Sequence, residues 1–173
     1  MEDHRKRSRS RRSAPASHDS AWRVFPTPLG SFTVEYRERG VTRVLLPGQQ
    51  PRPPAATGPC PAFLVDLERE LDRYFAGQRV AFTVPLLLEG MTPFQTRVLE
   101  ECRGIGHGEV RTYGWLATRA GRPGAARAVG QVMARNPVPL LIPCHRVVAA
   151  GGGLGGFGGG LALKARLLAI EGR

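Results

Sequence analysis

Residues 136–148 read "NPVPLLIPCHRVV". Three prolines, Pro137, Pro139 and Pro143, forbid a continuous helix through this apolar run. The segment must therefore be a loop or short extended piece that ends on Cys144 and His145. A buried structural cysteine needs no adjacent histidine, whereas a nucleophilic thiol needs a base to take its proton. Neighbouring side chains in an extended loop point to opposite sides, so the spacing predicts a water between thiol and imidazole rather than a direct bond. A carboxylate should then orient the imidazole. No acidic residue stands between Glu109 and Glu171, which leaves Glu171 as the candidate.

Upstream of this run the pattern is helical. "TPFQTRVLEECR" carries Thr92 as N-cap, Pro93 at the first helical position and Gln95 where a capping box places it. "TYGWLATRAG" predicts a second helix, capped by Thr112 and stopped at Gly121. "RPGAARAVGQVMARNP" predicts a third, entered at Pro123 and ended before Pro137. Two short helices separated by "GRP" form a helix-turn-helix-like pair. Ala125, Ala126, Ala128, Gly130 and Ala134 make the third helix small-sided, as close approach to another helix or to a nucleic-acid minor groove requires. Downstream, "GGGLGGFGGG" (Gly151–Gly160) holds eight glycines and leads at once into "LALKARLLAIEG". That continuation predicts a glycine loop inside the fold, with backbone in close approach or at positive φ, rather than a linker.

The N-terminal half reads differently. "WRVF", "SFTVEY" and "VTRVLL" are β-rich segments divided by turn sequences and predict an antiparallel meander. A proline-rich loop (47–59) follows. A helix then carries Phe63, Leu64, Leu67, Leu71 and Phe75 at helical spacing, with Gly77 as its stop. "VAFTVPL" is expected to close this half as a strand. The division is a basic disordered tail over 1–20, an α/β domain over 21–90 and an all-α domain over 91–173.

Composition narrows the partner. The 173 residues carry a net charge of +11. Residues 1–20 hold six basic and three acidic groups, 21–90 eight and seven, and 91–173 eleven and four, so the excess lies mainly in the half that contains Cys144. A polyanion is the partner such a balance suggests. Arg119, Arg122, Arg127 and Arg135 concentrate it around the helix pair. No apolar run approaches the ~20 residues a membrane helix needs, and the N-terminus has no apolar signal core, which reads as cytoplasmic. Cys60, Cys102 and Cys144 form no CxxC pair, and the four histidines supply no zinc-finger spacing.

"NPVPLLIPCHRVV", preceded by "GAARAVGQVMAR" and followed by "GGGLALKARLLAIEG", closely resembles the O6-alkylguanine-DNA alkyltransferases over about Thr92–Gly172. The resemblance implies a ribonuclease-H-like meander plus helix, then a winged-helix-like domain with a helix-turn-helix. It implies single-turnover transfer of an alkyl group from O6-alkylguanine, and possibly O4-alkylthymine, in double-stranded DNA to Cys144. His145 would be the water-mediated base and Glu171 the carboxylate that polarises it. Asn136 would tie the recognition helix to the loop. Tyr113 would crowd the target phosphate and assist the leaving guanine, and Lys164 would be a further pocket residue. Arg127 would fill the gap left by the flipped nucleotide, with Gly114 and Arg122 on the DNA-binding face. Met133, Val147 and Gly158 would form the base pocket. No metal, cofactor, membrane or obligate protein partner is implied.

Phe157 stands where the family commonly has tyrosine, and Gly158 where some relatives have serine, so the pocket rim loses hydroxyls. Three other readings remain: a lesion sensor without transfer, which Cys144 argues against; a DNA-binding regulator; and a thiol hydrolase, for which the sequence names no oxyanion hole.

Overall fold

The computed structural model describes residues 20–49 and 60–173. The basic tail, except Ser20, and most of the proline-rich loop lie outside the described residues.

Three strands, β1 (Ala21–Phe25), β2 (Phe32–Arg37) and β3 (Gly40–Leu45), form an antiparallel sheet in the order β1-β2-β3. Alternation puts Phe25, Phe32, Val34, Tyr36, Val41 and Val44 in the core. Helix α1 (Ala62–Phe75) buries Leu64, Leu67, Leu71 and Tyr74 along one stripe, and Gly77 follows at φ 78°. The expected strand at "VAFTVPL" does not form. Only a parallel bridge between Val41 and Leu86 is made, with Val41 N–H donating to the Pro85 carbonyl and Leu87 N–H to Val41. Pro85 has no N–H to extend the ladder.

The remainder is mainly helical: α2 (Pro93–Arg103), α3 (Tyr113–Arg119), α4 (Ala126–Ala134) and α5 (Leu161–Ile170). The predicted caps are present. Thr92 Oγ1 accepts from Gln95 N–H while Gln95 Oε1 accepts from Thr92 N–H, and Thr112 Oγ1 accepts from Trp115 N–H. Two expectations need correction. The third helix begins at Ala126 rather than Pro123, because Gly124 adopts φ 85° and turns the chain first. The half is also not all-α: β4 (Arg111–Thr112) and β5 (Val147–Val148) pair in parallel and pin the cysteine loop beside the start of α3.

One continuous hydrophobic core runs through both halves. Polar contacts reinforce the seam. Val44 N–H donates to the Pro137 carbonyl at 2.8 Å, and the Arg103 guanidinium donates to the carbonyls of Phe82 and Val84. No described helix is long and apolar enough to cross a membrane.

Candidate active site

Cys144, His145 and Arg146 occupy a single 3₁₀ turn, not the extended loop expected, and all three are buried. Pro143 precedes the turn and β5 follows it. Asn136 holds the entry to this segment. Its amide donates to the Ile142 carbonyl at 3.0 Å and its Oδ1 accepts from Val138 N–H at 3.1 Å, so α4 and the cysteine segment are tied end to end. Between them Leu140 takes φ 75°, a left-handed conformation rare for a leucine, with its side chain 1 % exposed.

His145 Nε2 lies 2.7 Å from Glu171 Oε1, whereas Nδ1 is buried with no protein partner. A carboxylate only accepts, so Nε2 carries the proton and the Nδ1 lone pair is free. Burial pushes the imidazole below its ordinary value, against the pull of Glu171. Cys144 is a thiol at rest: burial raises it, although the Asn136 side chain and the Lys164 charge work the other way. The same turn thus carries an unionised thiol and a neutral imidazole.

Glu171 collects more donors than the sequence suggests. Burial alone would raise its carboxyl, but hydrogen bonds from His145 and Arg146, and the Arg146 charge, hold it well below its ordinary range. The Arg146 guanidinium donates through Nη2 to Oε1 and through Nε to Oε2, both at 2.9 Å. Gly108 N–H donates to Oε2 at 3.1 Å, and the Tyr74 hydroxyl to Oε1 at 2.8 Å. Arg146, Tyr74 and Gly108 were missed by sequence reasoning. Arg146 was within reach of it, since a buried arginine next to His145 needs a counter-charge and Glu171 is the one downstream acid. Tyr74 was legible only as one more residue of an amphipathic helix.

A cavity of about 610 Å³ opens between the start of α3, α4 and the glycine loop, and Cys144 is not among the residues that line it. Tyr113, Gly114, Arg127, Met133 and Gly158, named from the sequence, all line it, together with Gly130 and Phe157. Val147 and Lys164 do not. Val147 is fully buried in β5, and the Lys164 ammonium is buried against the carbonyls of Val147, Leu154 and Gly156, pinning the glycine loop to α5. The loop comes so close to Tyr113 that a Cβ on Gly155 (φ 68°) would lie 2.7 Å from the phenol oxygen. The Tyr113 hydroxyl donates to the Gly156 carbonyl at 3.3 Å, and burial raises it above its ordinary value, so it stays protonated.

Arg127 is exposed at the cavity rim, and Arg122 and Arg135 are exposed without lining it. Among the described residues no carboxylate pairs with any of the three, whereas Arg119 is engaged by Glu101. Arg122 instead lies over the Phe94 ring, 4.8 Å from its centroid. The cysteines Cys60, Cys102 and Cys144 are free thiols. No group of three or more His, Cys, Asp or Glu able to hold a metal is found among the described residues.

Comparison with known proteins gives two family matches. Residues 21–88 match the family described as "6-O-methylguanine DNA methyltransferase, ribonuclease-like domain", and residues 93–173 its "DNA binding domain". The chain is 40% identical over 154 residues to a methylated-DNA–protein-cysteine methyltransferase of Mycolicibacterium paratuberculosis, covering 88% of this chain and 92% of that one. It superposes on the crystal structure of Mycobacterium tuberculosis OGT in complex with DNA with a TM-score of 0.75 at 39% identity, covering 87% of this chain and 91% of that one. An O6-methylguanine-DNA methyltransferase from the archaeon Pyrococcus kodakaraensis gives a TM-score of 0.63 at 25% identity over 90% of this chain and all of that one.

Proposed function

The chain belongs to the 6-O-methylguanine DNA methyltransferase family, and from that premise we infer how its residues carry out direct-reversal DNA repair. It is a methylated-DNA–protein-cysteine methyltransferase, and its partner is double-stranded DNA containing O6-alkylguanine. The alkyl group passes to Cys144, and the product is a thioether that consumes the protein.

The observation that carries this assignment is the buried His145–Glu171 pair, its Nδ1 without a protein partner, on the same 3₁₀ turn as Cys144. His145 takes the thiol proton through a water, and Glu171 stabilises the imidazolium as Sγ becomes a thiolate. The thiolate attacks the alkyl carbon. The S–C bond forms as the C–O6 bond breaks, and the guanine leaves with the bonding pair. One proton lost by the thiol matches one gained by the base. Tyr113, kept protonated by burial, is the donor beside the leaving base.

An O6 substituent inside a duplex is out of reach, so the nucleotide is turned out of the stack, at a cost of a few kcal/mol. The cavity has the volume for it, with Met133, Phe157 and Gly158 among its walls, and Phe157 and Gly158 bring no hydroxyl there. Arg127 fills the vacated space in the stack. Gly114, Gly130 and Ala126 let the phosphate backbone come close, and Arg122 adds charge. Asn136 fixes the thiol loop to α4. Lys164 and Val147 act behind the cavity, Lys164 by holding the loop and biasing the thiol towards thiolate.

We place the domain boundary near residue 91, with α3 and α4 as the helix-turn-helix of a winged-helix-like unit and the N-terminal sheet and helix as a ribonuclease-H-like meander. The test is intact mass after mixing with duplex DNA that contains one O6-methylguanine, followed by peptide mapping. One methyl group on the peptide containing Cys144, with guanine restored, is expected. Tight lesion binding with unchanged mass would overturn the assignment of the acceptor.

A further inference from the structure

The polar centre of the site is shared between the two halves through one side chain. Tyr74 lies on α1, 71 residues before His145, and is fully buried. Its ring is clamped by Phe75, Phe82 and His107, at centroid distances of 5.2, 5.6 and 5.7 Å. Its hydroxyl stands 2.8 Å from Glu171 Oε1 and 3.5 Å from His145 Nε2. Since the Nε2 proton is already directed at Oε1, the phenol donates to the carboxylate. Core packing alone would be met by phenylalanine, and the hydroxyl needs another account.

We propose that Tyr74 is a positioning residue for the transfer reaction: its hydroxyl, shared with His145 on one carboxylate oxygen, holds Glu171 as a pure acceptor and limits the basicity that Glu171 confers on His145. The inference rests on the functional reading above. The charges facing the imidazole are Glu171, Arg146 from the 3₁₀ turn and Lys164 from α5. The neutral titratable neighbours are Cys144, Tyr74 and His107, with Cys102 of α2 beyond the thiol. Among these, Tyr74 lets the N-terminal half act on the carboxylate. A carboxylate that shares its charge with a phenol is a weaker base. With the phenol present, His145 stays neutral at working pH and can accept the thiol proton. Without it, Glu171 holds an imidazolium more tightly and the base is pre-protonated over a wider pH range.

Tyr74→Phe keeps the ring and removes only the hydroxyl. The experiment measures single-turnover methyl transfer from an O6-methylguanine duplex across pH, together with 15N NMR of the His145 ring and the unfolding midpoint. The expected result is a loss of about tenfold in rate near neutral pH, the scale of one hydrogen bond to a charged group. The acid limb of the rate and the NMR protonation point of Nδ1 should both move to higher pH. Site-specific 3-fluorotyrosine at position 74, a stronger donor of the same shape, should move both the opposite way and keeps the test open if the phenylalanine variant folds poorly. An unchanged rate and titration would overturn the proposal. So would a slower rate with an unmoved titration and a lowered unfolding midpoint, since that is packing alone. If the unaltered protein transfers no methyl group, the functional reading fails, and the NMR titration still decides whether Tyr74 sets the basicity of His145.

Discussion

Glu171→Gln is the perturbation with the largest consequence that can be worked out from the structure. The glutamine keeps the shape of the side chain but replaces one acceptor oxygen by a donor. On either side that donor meets donors: Tyr74, His145 and Arg146 at Oε1, Arg146 and Gly108 at Oε2. It also leaves the Arg146 guanidinium, 5 % exposed, without a counter-charge. Breaking a buried pair from one side costs about 3–5 kcal/mol. For a chain of this size that lowers the unfolding midpoint by about 6–20 °C. Removing Arg146 as well, in Arg146→Met with Glu171→Gln, takes away the stranded charge and should recover most of the loss. The pH dependence fixes the cause. The carboxyl of Glu171 is depressed in the folded protein, so its contribution is fully present above the unfolded value of about 4.3 and is lost as pH falls towards the folded one. The difference between the protein and Glu171→Gln, followed by circular dichroism, should be flat above about pH 5 and shrink below it. A glutamine variant within about 1 kcal/mol at pH 7 would refute the reasoning, as would a difference that persists undiminished into acid.

Arg127→Ala should slow repair of duplex DNA by about tenfold or more while sparing attack on free O6-alkylguanine, since only the duplex demands a filled stack; equal losses on both substrates would remove Arg127 from that role. Gly155→Ala meets the Tyr113 phenol at 2.7 Å and must hold φ 68°, so it should cost about 1–3 kcal/mol in thermal unfolding and impair transfer; a variant indistinguishable from the parent would mean the loop yields freely. Deleting residues 1–20, with six basic and three acidic groups, should leave transfer intact and flatten the dependence of DNA affinity on salt, measured by fluorescence anisotropy. An unchanged slope would take the tail off the DNA.

Where the sequence was legible, it was because local chemistry decided the outcome. Thr92 with Gln95, and Thr112, are caps whose partners lie three residues away, and the meander follows from alternation within each strand. Glu171 was legible by scarcity, as the one acid left downstream of the cysteine. The errors arose where distant atoms decide. The segment 80–86 has strand composition but pairs with a strand only through the Val41–Leu86 bridge. The Cys144–Arg146 turn tightens because Arg146 is drawn inward to Glu171 and the Ile105 carbonyl. Lys164 was taken for a pocket residue on the strength of the family resemblance, although its ammonium faces three carbonyls. Tyr74 carries no local signal at all, since its partner enters 97 residues later.

Leu140 holds a backbone state that its own burial only just offsets. Holding a leucine in the left-handed region costs about 1–3 kcal/mol, and sealing its side chain in the core returns about 1.5–3 kcal/mol. The two nearly cancel, so the path from Asn136 to Cys144 rests on its other ties: the two Asn136 hydrogen bonds and the buried Val138, Leu141 and Ile142. The placing of the thiol is therefore set by the neighbours of this leucine rather than by the leucine itself.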